Sequence, residues 1–399
     1  MAMTHPNTYL FFVRDPLPQP GAHLVQIIHL ANAAANLGHN AVLVDIHRGQ
    51  KALNPLQLLA PFRPHPPSSA LKNYYNLQDN LQVASLPMPY PVDRIQSKWT
   101  NSSTIACKYY LPVHLRPHTR LVHSRDWNFV KAAVKQGIAA IYERDHYETK
   151  RYEPEIVNSP LFQVTVTVAD PVRQDLIRNG MPPEKVIKLH NGFNQLFYIR
   201  QTEAAQAWRS RLLNSEQNRL VVYAGELVRF KGIDLILDLA PNFPQVTFAF
   251  AGGTPSQIQE YQQKIRDRGL TNINLLGYLQ HHSLASLLQA ADALIYPHLS
   301  GEAASFTSPM KLFDYIAASR PIVATQIKPL QEFTDSPLIA AWCEPDNPTA
   351  FAEGLKGVLS RYGHWTPDFM GDRDLVQKYS WEYRIQQTLN HVAAPYRPD

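Results

Sequence analysis

Cysteine is nearly missing from this chain: Cys107 and Cys343, far apart, are the only two in 399 residues. Thiols so separated exclude a disulfide framework and cannot build a metal site by themselves. Long apolar runs are missing too, since nothing approaches the roughly 18 uninterrupted apolar residues of a membrane-spanning helix. The N-terminal stretch holds only a five-residue apolar core, Tyr9 to Val13, with no basic region ahead of it. It reads as a first strand and not as a secretion signal. There is no low-complexity segment, no internal repeat and no metal-ligand cluster. Nor is there a basic run interleaved with aromatics of the kind that grips nucleic acid. What is present is globular: 45% hydrophobic residues and 18% charged residues exclude disordered, collagenous and coiled-coil chains. At about 100–200 residues per domain the length implies two or three domains. A reducing, cytoplasmic setting is the default expectation.

Charge is divided unevenly. Residues 1–200 carry 21 Lys and Arg against 13 Asp and Glu, and eleven of the sixteen histidines, while the whole chain has a net charge of only +5. A basic half joined to a slightly acidic one points to an anionic partner for the first half, such as phosphate, anionic lipid or nucleic acid, or else to a solvated basic surface without a partner.

Periodicity supplies the architecture. A strand at 8–13 is followed by a Pro/Gly-rich loop ending at Gly21, then by a helix at 23–37 with Leu24, Ile27, Ile28, Ala31 and Ala35 on one face. Gly38 stops this helix before a second strand at 41–46. Residues 47–78 are Pro-rich and weakly periodic, and read as a long surface loop with room for a short helix. Strands then recur near 81–86, 121–123, 139–142, 162–168 and 186–189. The second half alternates more cleanly, with strands at 220–224, 246–251, 273–276, 293–296 and 322–325 and helices between them. Such alternation implies two doubly wound parallel sheets, covered on both faces, with ligands at the carboxyl ends of their strands. The domain boundary is expected near residues 195–218.

The most informative segment is SFTSPMKLFDYIAASRPIVAT, residues 305–325. Ser308 suits an N-cap and Pro309 the first helical position, where a missing N–H costs nothing. The N–H groups of Met310 and Lys311 then face outward without internal partners and, with the Lys311 charge, offer an anion site. Leu312, Phe313 and Ile316 form the buried stripe. Asp314 falls about 150° from its centre, within reach of a ribose diol. The loop YAGELVRFKGIDLIL, residues 223–237, leaves a strand and opens a helix. Gly225 and Gly232 there permit tight backbone approach, while Arg229 and Lys231 can project toward a diphosphate.

The 308–325 segment resembles the motif of the retaining GT-B-type glycosyltransferases of family four, whose Ser-Pro-x-Lys-Leu helix holds a nucleotide-sugar. Gly38-His39, HNGFNQLF at 190–197, the Lys231 loop, FAGG at 250–253, LLGYL at 275–279 and YSWEYRIQQTL at 379–389 follow in the family's order. The resemblance implies a GT-B fold: a Rossmann-like acceptor domain over 1–200, a Rossmann-like nucleotide-sugar domain over 201–375, and a C-terminal helix, 376–399, crossing back to the first. It implies a sugar transfer that uses no cofactor beyond the donor, and the lack of a metal-ligand cluster in the sequence adds the expectation of no metal requirement. The implied donor-binding residues are Gly21, Gly225, Arg229, Ser308, Pro309, Met310, Lys311, Leu312 and Asp314. The implied catalytic residues are Lys231, His146 and Glu302.

Departures from the family pattern are visible as well. Glu226 stands where relatives carry arginine, and Phe306 where they carry the first of two acids, which leaves Glu302 as the nearest candidate. In YERDHYE, residues 142–148, Asp145 takes the family's histidine place and His146 follows it, with Glu143 positioned to orient that histidine. His123 and Trp381 read as structural. Two other readings remain: a nucleotide-sugar-binding protein impaired in catalysis, and a nucleotide-sugar epimerase of the same architecture. The acceptor class stays open among glycan, lipid-linked and small-molecule types. The basic series Lys98, Lys108, Arg116 and Arg120 adds the expectation of peripheral attachment to an anionic membrane face.

Overall fold

The computed structural model describes residues 6–19, 21–50, 60–89, 101–215, 218–301, 309–367, 369 and 371–399. The chain divides into two compact units, one of residues 1–191 with 381–399, the other of residues 192–380. In the first, β1 (Thr8–Phe12), β2 (Ala41–Gln50), β3 (Gln82–Pro89), β4 (Thr119–Ser124), β5 (Ala139–Glu143), β6 (Phe162–Thr167) and β7 (Val186–Lys188) form one sheet. Its spatial order is β3-β2-β1-β4-β5-β6-β7, with every pairing parallel. In the second, β8 (Arg219–Ala224), β9 (Val246–Ala251), β10 (Ile273–Gly277), β11 (Ala293–Tyr296), β12 (Ile322–Thr325) and β13 (Ala341–Cys343) repeat the pattern as β10-β9-β8-β11-β12-β13, again all parallel. Each order reverses once, between β1 and β4 and between β8 and β11, and such a switch point opens a crevice at the carboxyl ends of the strands.

Burial on both faces explains the apolar strands. Along β8, Leu220, Val222 and Ala224 join one hydrophobic cluster, while Val221 and Tyr223 join the other. Successive side chains point to opposite faces, so a strand sandwiched between helix layers needs apolar residues at every position.

Several regions differ from the periodicity reading or add to it. β2 runs on to Gln50, four residues beyond the expected strand end, because β3 pairs along its whole length. β3 contains Pro87 and Pro89 yet holds its place as an edge strand, where a missing N–H leaves no ladder bond unmade. Of the expected loop, the described part includes the Ser69–Tyr75 helix, capped by the Ser68 hydroxyl accepting from the Leu71 N–H. Residues 106–115 wind as a wide π-type helix with Pro112 inside. A proline breaks the regular bond ladder, and the wider turn accommodates it. β13 and the Pro348–Arg361 helix escaped the sequence reading altogether, the first through its three-residue length.

The C-terminal helix Trp381–Asn390 belongs to the first unit. Trp381 is buried and stacks on His29, as a packing anchor should. Arg384, one turn on, reaches the Glu143 carboxylate at 2.7 Å and donates to the His190 carbonyl at 2.6 Å. Glu143 also meets His123 Nε2 at 3.1 Å, and His123 Nδ1 lies 2.8 Å from the Tyr9 hydroxyl. Glu143, His123 and Arg384 are all excluded from solvent. Glu143 therefore does not orient His146, the role expected from its place three residues before that histidine. It is the buried counter-charge of the terminal helix.

Candidate functional site

In the second unit the expected site residues gather around the carboxyl end of β8, beside the switch point. Gly225 continues the strand, its N–H donating to the Ala251 carbonyl at 2.9 Å. The turn after β9 lies so close that a Cβ on Gly252 would fall 2.1 Å from the Gly225 carbonyl oxygen. On the other flank, Gly232 adopts φ 73°, and a Cβ there would sit 1.8 Å from the Pro297 carbonyl oxygen just past β11. The Leu299 N–H then donates to the Phe230 carbonyl at 2.8 Å. Glycine is demanded twice, by the left-handed backbone and by the close approach. The 225–232 loop is thus pinned to the ends of the strands on both sides of β8.

Within that loop Lys231 is largely covered, its ammonium 3.4 Å from the exposed Glu226 carboxylate and 5.8 Å from the Phe230 ring centroid. Glu226, where the family carries a cation, hence supplies the present counter-charge of Lys231. Being exposed, it holds the lysine weakly. Arg229 is exposed.

The Met310–Ala318 helix is tied to the same strand end, for the Ala224 N–H donates to the Tyr315 hydroxyl at 2.6 Å. It begins one residue later than expected: Pro309, at φ −78° and ψ 54°, is the N-cap and not the first helical residue. A proline has no N–H to contribute to a first turn, so the boundary shifts at no cost. Ser308 and Glu302, like Phe306, lie outside the described residues. Leu312 is a core residue at 0% exposure, and its N–H is already bonded to the Pro309 carbonyl at 2.8 Å. It offers nothing to a ligand, because a helix one turn deep in the domain buries the whole Leu312–Phe313 side. The free first-turn N–H groups fall to Met310 and Lys311, the pair the sequence singled out. Lys311 is not an isolated cation, however; its ammonium stands 3.1 Å from the Asp314 carboxylate. Asp314 is 14% exposed and turned away from the core stripe.

Two histidines at this end carried no sequence signal. His281 opens the helix His281–Ala290 near Asp314 and Lys311, and burial holds its pKa below the ordinary value against the pull of Asp314. His298 follows β11 and meets the Phe230 ring edge-on, within reach of the Lys231 charge. Neither sits in a recognisable motif, and both are placed by β-strand order alone.

In the first unit, Gly21 is the N-cap of the Ala22–Asn36 helix, at the carboxyl end of β1. After β5, Asp145 is partly buried on Arg125, 2.5 Å away, whereas His146 is exposed and its carbonyl accepts from Arg144 Nε at 3.1 Å. Burial lowers the pKa of His23, and the neighbouring Arg125 and His146 add to the effect. The carboxyl ends of β1, β4 and β5 in this unit are therefore rich in cations and histidines. Among the described residues no group of three His, Cys, Asp or Glu side chains stands close enough to hold a metal ion.

Residues 218–361 match the family model described as Glycosyl transferases group 1. Among curated relatives, the alpha-galactosylglucosyldiacylglycerol synthase of Streptococcus pneumoniae is 26% identical over 264 residues, 61% of this chain and 64% of its own length. The putative teichuronic acid biosynthesis glycosyltransferase TuaH of Bacillus subtilis is 22% identical over 207 residues, 51% of each chain. The chain thus spans between half and two thirds of these relatives. Among solved structures, Anabaena Alr3699/HepE in complex with UDP and glucose superposes with a TM-score of 0.60 at 15% identity, covering 97% of this chain and 98% of that one. The fold, two doubly wound Rossmann-like sheets in one chain, is GT-B.

Proposed function

Starting from a group 1 glycosyltransferase domain at residues 218–361 within a GT-B fold, we propose that this chain transfers a sugar from a nucleoside diphosphate donor to an acceptor hydroxyl. The observation that carries the proposal is that the Lys231 loop and the Met310–Ala318 helix are both tied to the carboxyl end of β8, at the switch point of the second sheet. A cation and a helix with free first-turn N–H groups anchored to that strand end suit a diphosphate. Asp314, one turn below the helix start, is assigned to the ribose diol, which on binding competes with Lys311 for the carboxylate. Charge appears on the diphosphate as the sugar leaves, so Lys231 acts chiefly in the transition state. We assign retention of configuration, by front-face attack in which the departing phosphate takes the acceptor proton, and no metal requirement, since these groups supply the positive charge. UDP and glucose in the HepE complex, and the glycolipid in the pneumococcal relative's name, favour a UDP-sugar donor and a lipid-linked acceptor. His146, Arg229 and Glu302 stay in this reading as groups to be tested by substitution.

A thermal-shift panel of UDP, GDP, ADP and their glucose conjugates tests the donor. A bound species at 100 times its Kd stabilises the folded chain by about 2.7 kcal/mol. Transfer of sugar, with the product's anomeric configuration read by NMR, separates a working enzyme from an impaired binding protein. Asp314→Ala should weaken the selected nucleoside diphosphate by about 1.5–3 kcal/mol, the value of hydrogen bonds to a charged group. The melting temperature should hold, because Asp314 lies off the core stripe. Unchanged affinity in calorimetry removes the ribose role.

One surface observation favours a membrane-side acceptor. On the 106–115 helix and just after it, Tyr109 (60% exposed) and Val113 (62%) stand in solvent between exposed Lys108 and Arg116. Exposed apolar side chains flanked by cations suit an anionic lipid surface, at about 1 kcal/mol per basic residue. Arg120 is already paired with Asp399 at 2.9 Å, and Lys98 lies outside the described residues. No helix of the described residues is long and apolar enough to cross a membrane, so the association proposed is peripheral. Flotation should show binding to anionic but not to neutral vesicles, abolished by high salt and by a Lys108→Glu/Arg116→Glu double variant. Equal binding to both vesicle types sinks the idea.

A further inference from the structure

His298 is only 4% exposed, yet neither ring nitrogen has a hydrogen-bond partner among the described residues, and Nδ1 is wholly buried. Its ring is held firmly. The Tyr296 ring packs against it with centroids 3.9 Å apart, and Phe230 meets it edge-on at 6.3 Å. Its carbonyl accepts from the Thr325 hydroxyl at 2.6 Å, and the next residue is bonded to the Phe230 carbonyl. Phe230 is the same ring that Lys231 overlies, so imidazole and ammonium flank one aromatic side chain at the switch point. Burial, reinforced by the Lys231 charge, pushes the His298 pKa down to about 3.

A buried, unpartnered polar group costs about 1–3 kcal/mol, and one that persists in a folded chain calls for an explanation. Nothing in the packing uses these nitrogens. The fold could have placed an apolar residue between Tyr296 and Phe230 and gained stability. What the imidazole offers instead is an uncharged N–H beside a fixed cation, at the place where the donor reading puts the diphosphate. We propose that His298 is a positioning residue for the donor: its Nε2–H, on the ring nitrogen that is not wholly buried, donates to an oxygen of the terminal phosphate of the nucleoside diphosphate, next to Lys231. This inference rests on the donor reading given above and adds a group that the motif does not contain. A neutral imidazole binds without a proton of its own to exchange, so the interaction is the same across the physiological range, and His298 is neither general acid nor general base.

The test compares wild type, His298→Leu and His298→Gln for binding of UDP and UMP by calorimetry, with melting temperatures of the free proteins. His298→Leu should lose about tenfold in UDP affinity, the weight of one hydrogen bond to a charged group, and nothing for UMP. His298→Gln, whose amide places an N–H near the Nε2 position, should recover most of the loss. The free His298→Leu protein should melt no lower than wild type, because the variant removes an unsatisfied buried group. UDP affinity equal to wild type in His298→Leu, equal losses for UDP and UMP, or a large drop in melting temperature would each overturn the assignment. Wild type that binds neither UDP, GDP nor ADP overturns the donor reading itself and this inference with it, an outcome distinct from a His298 variant that binds normally.

Discussion

Replacing Arg384 with methionine should cost the first unit about 3–5 kcal/mol, the loss seen when one partner of a buried ion pair is removed. The Glu143 carboxylate would be left fully buried with His123 and Gln26 as its remaining hydrogen-bond partners and Arg125 as a more distant cation. Burial by itself would raise the Glu143 pKa, but the Arg384 charge and the His123 hydrogen bond overcome it and hold the carboxyl below its ordinary 4.5. His123 is likewise held below 6.5 by burial. Both shifts have the same consequence. Below about pH 6.5 the unfolded chain takes up a proton on His123 that the folded chain refuses, and below about pH 4.5 the same becomes true of Glu143. Stability contributed by the network is thus complete above pH 6.5 and falls as the solution is acidified. Urea titration of the full chain, with hydrogen exchange at residues 139–143 to locate the loss, reads both effects. A loss under about 1 kcal/mol in Arg384→Met would mean that the pair is no stronger than a surface contact. Adding Glu143→Gln to Arg384→Met should restore part of the stability, since a neutral amide costs less to bury than an unpaired carboxylate.

Lys231→Ala should lower kcat by about 10²–10³, comparable to the loss of one preorganised donor at a developing charge. Its effect on affinity for the free nucleoside diphosphate should be smaller, because in the unliganded protein Lys231 is already partly neutralised by Glu226 at 3.4 Å. Binding must exchange that contact for the diphosphate, whereas the extra charge of the transition state has no such competitor. Lys231→Arg should recover only part of the rate: the Phe230 ring and the pinned 225–232 backbone leave the longer, forked side chain a different set of directions. Single-turnover rates set beside calorimetric affinities separate the two effects. Equal losses in kcat/KM and in donor affinity, with kcat unchanged, would mean that Lys231 binds ground state and transition state alike.

Much of this molecule is legible from its residues in order. Apolar runs of strand length, interrupted by helical periods and Gly or Pro stops, specify two parallel sheets, because only a strand buried on both faces needs such composition. The Met310–Ala318 helix and the 225–232 loop are likewise local features, since helix entry and tight turns depend on neighbouring residues. Gly232 is the clearest case: a glycine after a lysine suggested close backbone approach, and the Pro297 carbonyl supplies it. The one-residue shift at Pro309 lies within the play that a local signal allows.

What lies far apart in sequence had no such signal. Glu143 looked like a partner for His146, three residues away, but a strand end directs it inward, where His123, 20 residues back, and Arg384, 241 residues on, complete its charge balance. His298 is a plain residue between Pro297 and Leu299 until the order β8-β11 sets it against the loop of Lys231. Periodicity and capping are short-range properties of the chain and determine elements. The pairing of buried charges, and the desolvation that fixes which imidazoles stay neutral, depend on what the sheet order brings together, and that was decided only by the tertiary structure.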